Sequence, residues 1–404
     1  MHRKLKISIL TTSRSDFGLL KNLIFLSSKR FQVDILVGGS HFLKSKGYSY
    51  DEINSEFKKN KYINIIKFKA MEKSETVIAQ NITISKTQLL ASKYFSNSNT
   101  RMLIFLGDRW ELTGFTIPAL LHQIPLSHIS GGEITDGSMD NYIRNFHTTI
   151  SNFHFTANNL FAQNISQRCE EDWRISIVGE CGLDLVYKKE YSKFKSIKNQ
   201  FNIKDKYILI TFHPSTLDFK TKINNQIENI LISLEQFSKY QLIFTSPGME
   251  FGSKIITKSI EKFIKNNKSS LFVNNFGSKY YLPILKNASL IVGNSSSGLV
   301  EAPSFKTPCV NIGDRQKNRP RSKSVINVNY DVKNIINAIS QALSKNFKTN
   351  LKDLKNPYDP YLDGKNSLRI VNCIDNVLNN LSLSKILTKK FANKVNKKEW
   401  NSYI

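Results

Sequence analysis

Short apolar, β-branched runs alternate with longer amphipathic stretches along most of the chain, which is the pattern of parallel strands covered by helices. Seven runs in the first half read as strands: "KISILTTS", "VDILVGG", "INIIKF", "MLIFLGD", "PLSHIS", "FHFTA" and "RISIVG". Between them, segments such as "ETVIAQNITISKTQLLASKYF" have helical length and spacing. A second series follows with "YILITFHP", "YQLIFTSP", "LFVNN", "SLIVGN", "PCVNIGD" and "SVINV". The polar, Lys-rich stretch between the two series sets a boundary near residues 180–205. The pattern therefore predicts an α/β chain with two Rossmann-like, doubly wound domains facing a central cleft, over residues 1–180 and 181–365. After the Pro/Gly/Asp-rich break "NPYDPYLDGKNS", residues 366–404 read as a helical segment open to packing on either domain.

In such a pair the ligand crevice lies at the carboxyl ends of the strands. Arg14 and Asp16, Asp108 and Arg109, Glu133 and His213 all fall just after predicted strands, as does "IVGNSSSGLVEAP". In that last stretch the strand ends at Gly293 and the Ser/Gly run opens a short helix, whose unpaired N–H groups and hydroxyls suit a phosphate. An ordinary N-cap turn has the same composition. No Gly-Lys-Ser/Thr follows at P-loop spacing, which excludes that class of nucleoside triphosphatase. The next strand continues into "NIGDRQKNRPR", whose Arg315, Lys317, Arg319 and Arg321 add cations suited to a diphosphate.

Acid/base chemistry is offered by Asp108 in "LIFLGDRWEL", where partial burial favours a proton-exchanging carboxyl, unless it only caps a helix or pairs with Arg109. Glu133, Asp136, Asp140 and Arg144 follow in "HISGGEITDGSMDNYIRN", and several carboxylates in one crevice can serve as base and acid. Asp16 reads as a helix N-cap, whereas a strand-end Arg14 faces the crevice and could hold a phosphate. His213, kept extended by Pro214, reads as a phosphate contact or proton relay.

Composition narrows the partners. The 404 residues are 40% hydrophobic, ample for two cores, and 58 Lys+Arg against 32 Asp+Glu give a net charge of +26. That charge invites nucleic acid, but the lysines are scattered and no block of five or six like charges occurs, so an enzyme with an anionic substrate is expected. Cys169, Cys181, Cys309 and Cys373 are far apart with no CxxC spacing, so neither zinc nor disulfides are expected. No run approaches the ~18 apolar residues of a membrane span, so membrane insertion is not expected, and the absence of a secretory pattern suggests a cytoplasmic protein.

Taken together, "TTSRSDFGLL", "LGDRWE", "HISGGEITDGSMDNYIRN", "VGECGLD", "TFHPST", "GNSSSGLVEAPSFKTPCVNIGDRQKNRPR" and "NPYDPYLDGKNS" closely resemble the hydrolysing UDP-N-acetylglucosamine 2-epimerases of bacterial sialic-acid and legionaminic-acid biosynthesis. The resemblance implies a glycosyltransferase-B-like fold with the nucleotide held by the C-terminal half. It implies C2 proton abstraction with loss of the nucleoside diphosphate, a glycal intermediate, and rehydration with inversion at C2. On that basis Asp108, Glu133 and Asp140 are candidate acid/base carboxylates, with His213 beside them. Arg14, Asp16, Arg144, Ser295, Ser296, Ser297, Gly298, Arg315, Gln316 and Arg319 are candidate substrate contacts, and Glu301 is the ribose acceptor, a role assigned to an ionised carboxylate. Neither a cofactor nor a metal is implied; a nucleotide sugar and a homodimer or homotetramer are. The chain departs from the family pattern at Ser130, Asn145, Thr149 and Gly248–Glu250, so the sugar-facing half is expected to differ. The alternatives are a glycosyltransferase-B-type transferase and a catalytically silent nucleotide-sugar-binding protein.

Overall fold

The computed structural model describes residues 4–74, 76–135, 138–187, 194–215, 221–248 and 252–392, apart from the side chain of Ser278. Each nominated apolar run forms a strand. The first seven are β1 (Lys6–Thr11), β2 (Gln32–Val37), β3 (Ile63–Lys67), β4 (Leu103–Leu106), β5 (Leu126–Ile129), β6 (Phe153–Thr156) and β7 (Ile175–Ile177). The second series is β8 (Tyr207–Thr211), β9 (Gln241–Thr245), β10 (Leu271–Val273), β11 (Leu290–Gly293), β12 (Cys309–Ile312) and β13 (Val325–Val328). Most end two or three residues before the apolar run does. In "MLIFLGD", for example, Gly107 and Asp108 have already left the sheet for the loop.

The strands pair in parallel in two sheets, ordered β3-β2-β1-β4-β5-β6-β7 and β10-β9-β8-β11-β12-β13. Central strands such as β8 are buried at every position, because helices cover both faces of a parallel sheet. One core packs Ile7, Ile9, Phe17 and Val33 of the first sheet and its helices; another packs Ile208, Phe244, Val292 and Val310 of the second.

The C-terminal segment resolves onto the first sheet. Helix Asn366–Asn380 places Ile370, Val371, Ile374, Val377 and Leu378 in the first core. At about 1.5–3 kcal/mol for each buried side chain, that contact dominates the placement of the segment. A second fastening lies at Arg174, 1% exposed at the start of β7. Its Nη1 donates to the carbonyls of Asn152 (3.3 Å) and Ile386 (2.8 Å), and its Nη2 donates to that of Thr388 (2.8 Å). Among the described residues no helix is long and apolar enough to cross a membrane.

Candidate active site

Strand order reverses between β1 and β4 in the first sheet and between β8 and β11 in the second. A crevice opens where neighbouring loops diverge at such a reversal, and it is the usual ligand position in an open α/β sheet. The loops leaving these four strands carry Arg14, Asp108, His213 and Ser295–Ser297. They meet across the cleft in two adjoining chambers, a polar one of about 140 Å³ and a more apolar one of about 270 Å³, which share Leu19, Ser296 and Glu301 on their walls.

The polar chamber collects acids from the first half and cations from the second. Asp108 forms an ion pair with Arg144, which is buried on helix Asp140–Ile150 and also donates to Thr135 Oγ1 at 2.8 Å. Arg109 is engaged by Glu111 at 2.6 Å, so the Asp108–Arg109 pairing considered from sequence does not form. Glu133, 4% exposed, pairs with Arg319, and Asp140 Oδ2 lies 3.5 Å from Arg315 Nη2. Arg319 also donates to Gln316 Oε1 at 3.0 Å and lies over the Tyr358 ring, while Gln316 Nε2 donates to the Asn294 carbonyl at 2.9 Å. Arg321 turns back on its own loop, towards the Arg319 and Gln316 carbonyls, and Lys317 is exposed. Of the four cations in that run, Arg315 and Arg319 are the ones lining the chamber.

Two acids of the cleft are driven upward. Burial pushes Glu180 to about 7, with the neighbouring charges of Glu133 and Glu301 adding to it. Burial likewise pushes Glu301 up to about 7, above the ordinary carboxylate range. Glu180 was not singled out from sequence. The signal was nonetheless there: a Gly-acid pair, Gly179-Glu180, stands one residue beyond β7, much as Gly107-Asp108 directly follows β4.

The larger chamber is walled by Arg14, His213, Ser295, Ser296, Ser297, Phe276 and Tyr281. Its turn is poor in side chains because backbones approach closely there. Gly293 has φ +136°, and a Cβ on it would lie 2.1 Å from the Thr211 carbonyl oxygen. Gly298 is packed against Cys309, so it serves the fold of the turn and does not line the chamber. Helix Ser297–Val300 has one turn, and Tyr281 donates to Ser297 Oγ at 2.6 Å. Asn294, fully buried and also passed over in the sequence, accepts from the His213 N–H at 2.7 Å and donates to the His213 carbonyl at 2.8 Å. It thereby ties the loop after β8 to the loop after β11. His213 Nδ1 accepts from the Gly248 N–H at 3.3 Å, which leaves the proton of a neutral ring on Nε2. Arg14 faces the chamber and is held by Glu52 at 3.0 Å.

Asp16 corrects the expectation of a ligand contact. Ser13 is the N-cap of helix Arg14–Arg30, and Asp16 completes the capping box from the third helical position. Its carboxylate is 4% exposed and accepts from Thr11 Oγ1 (2.5 Å), Thr12 N (2.9 Å) and Ser13 N (3.1 Å), which leaves it aimed at the backbone and away from both chambers. The departures from the family pattern also divide. Ser130 lines the polar chamber, while Asn145 bonds Arg168 at 3.0 Å and Thr149 is exposed, both outside the chambers. Asp136, Met249 and Glu250 lie outside the described residues.

Two parallel α/β sheets facing one cleft, with acids on one wall and a Ser/Gly turn on the other, define a glycosyltransferase-B-like α/β protein. The family UDP-N-acetylglucosamine 2-epimerase matches residues 25–375, and the chain belongs to that family. It is 34% identical over 357 residues to the GDP/UDP-N,N'-diacetylbacillosamine 2-epimerase (hydrolyzing) of Campylobacter jejuni, covering 86% of this chain and 90% of that protein. Identity to the UDP-N,N'-diacetylbacillosamine 2-epimerase (hydrolyzing) of Legionella pneumophila is 27%, covering 84% and 89%. Its fold matches the UDP-GlcNAc 2-epimerase of Methanocaldococcus jannaschii, solved with UDP-GlcNAc and UDP, at a TM-score of 0.75 and 22% identity, over 92% of this chain and 99% of that one.

Proposed function

We propose that the protein is a hydrolysing 2-epimerase of a nucleotide-activated N-acetylhexosamine. It would convert UDP-N-acetylglucosamine, or the 2,4-diacetamido-6-deoxy equivalent, to the free 2-epimer and the nucleoside diphosphate. The observation that carries this reading is the junction of the two chambers at Glu301, whose Oε2 is buried without a hydrogen-bond partner among the described residues. A buried carboxyl oxygen left open costs free energy unless a ligand hydroxyl meets it. A ribose there would place the diphosphate along Ser295–Ser297, with His213 Nε2–H and Arg14 as further donors, and the hexose among Asp108, Glu133 and Asp140.

In that pose a carboxylate of the polar chamber removes the C2 proton as the C1–O bond breaks, and the electron pair leaves on the β-phosphate. The diphosphate contacts stabilise that departing charge, and rehydration of the glycal then completes inversion. On this reading the enzyme is cytoplasmic, supplies sialic- or legionaminic-type sugar synthesis, and works as a homodimer or homotetramer.

Incubation in deuterium oxide with a panel of UDP- and GDP-linked N-acetylhexosamines, followed by NMR, tests the reading. Free 2-epimer carrying deuterium at C2 is the expected product. Tight UDP binding without turnover would instead identify a silent binding protein, and sugar appearing on an added acceptor would identify a transferase.

Glu301→Ala is expected to weaken UDP binding by about tenfold or more, the worth of a hydrogen bond to a charged group, while kcat changes less. Because the ionised form would accept both ribose hydroxyls and burial pushes Glu301 up to about 7, wild-type binding should weaken as pH falls from 8 to 6. Calorimetry would show this as proton release on binding that the variant lacks; equal affinities for UDP in the two proteins would remove the ribose role.

A further inference from the structure

Glu180 is the cleft acid that the chemistry above leaves unused. Its side chain lines the polar chamber beside Ser130, Glu133 and Arg319. Ser130, held at φ +62°, donates its hydroxyl to Glu180 Oε2 at 2.8 Å, and the Glu180 N–H is fixed by the Tyr358 carbonyl at 2.9 Å. On the other side, Cys181 Sγ is 3.7 Å from Oε1, and burial pushes that thiol upward so that it stays neutral. Glu133 and Glu180 are buried and Glu301 is half-buried; all three feel the Arg319 charge, and Glu133 forms the ion pair with it. With three acids sharing one cation, protonation is favoured on an acid that lacks the ion pair, and Glu180, pushed upward by burial and by the neighbouring acids, is such a group.

We propose that Glu180, aimed by Ser130, is the general acid that protonates C2 of the glycal in the hydration half of the reaction. The inference rests on the hydrolysing-epimerase reading above. In the first half-reaction the C2 proton passes to a neighbouring carboxylate and the C1–O pair leaves with the nucleoside diphosphate. In the second, the C1=C2 π pair takes the proton of Glu180 to form the new C2–H bond. Water bonds to C1 and its proton passes to a carboxylate. One of the two protons so collected restores Glu180, and the other leaves to solvent.

This assignment separates the two half-reactions, so the test is product partition. Wild type and Glu180→Gln are given the panel substrate that wild type turns over, and nucleoside diphosphate, glycal and free 2-epimer are quantified from pH 6 to 8.5. Elimination should persist in Glu180→Gln while hydration falls by roughly 10²-fold, so that glycal becomes the main sugar product. In wild type the glycal share should rise as pH climbs through about 7, and in Glu180→Gln it should be flat. A glycal share equal to wild type in Glu180→Gln overturns the assignment, because a merely structural role slows both halves together. Should Glu180→Gln fail to fold, Ser130→Ala keeps the carboxyl and loses its aim; its glycal share should rise several-fold, and an unchanged share overturns the proposal. A wild type that releases no nucleoside diphosphate from any member of the panel overturns the parent reading instead.

Discussion

Asp108→Asn is expected to reduce turnover by roughly 10²–10⁴-fold while the affinity for UDP stays within about threefold of wild type. The amide preserves the shape of the side chain, and its oxygen can still accept from Arg144, so the chamber should keep its form. What it loses is the capacity to exchange a proton, which the elimination requires of the carboxylates facing the sugar. UDP binding survives because Asp108 lines the polar chamber, whereas Ser295, Ser297 and His213 line the other. Steady-state rates of nucleoside diphosphate release, paired with calorimetric titration of UDP, separate the two effects. Unchanged rates would remove Asp108 from the chemistry, and a parallel collapse of UDP affinity would mark it as a structural residue.

The largest stability effect should follow from Arg174→Ala. The guanidinium lies against the Trp173 ring, bonds Glu171 Oε2 at 2.8 Å, and binds carbonyls of the first sheet and of the C-terminal strap. Truncation leaves the buried carbonyls without this donor and removes the ion pair with Glu171, while Glu170 keeps Lys389 and His154. Removing one partner from a buried ionic network costs about 3–5 kcal/mol. For a unit of this size that corresponds to a fall in Tm of roughly 10 °C, measurable by scanning calorimetry. Epimerase activity at 20 °C should survive, since Arg174 lines neither chamber. A Tm within about 3 °C of wild type would mean that the strap contributes little and that the buried helix Asn366–Asn380 alone secures the C-terminal segment.

Particular residues show how far local pattern reaches. The strands were legible because each is an apolar run bounded by turn chemistry, and those bounds also placed Asp108, His213 and Ser295 at the mouths of their sheets. Asp16 misled because an acid after a strand is equally suited to a ligand or to a capping box, and only the orientation of its carboxylate chooses between them. Glu180 was passed over for the converse reason. Its interest lies in neighbours distant along the chain, Ser130, Glu133, Glu301 and Arg319, which no local spacing brings together.

The sequence by itself determined the two strand series, the reversal of character near their carboxyl ends, the Ser/Gly turn with Glu301 behind it, and the family to which the motifs point. These follow from period, turn residues and short-range order, all of which are written locally. Tertiary structure alone decided which carboxyls burial pushes upward, which cations cross the cleft to meet acids of the other half, and that the C-terminal helix returns to the first sheet. The reason is physical: desolvation and charge pairing depend on distance through the folded molecule, and at Glu133–Arg319 that contact joins residues 186 positions apart.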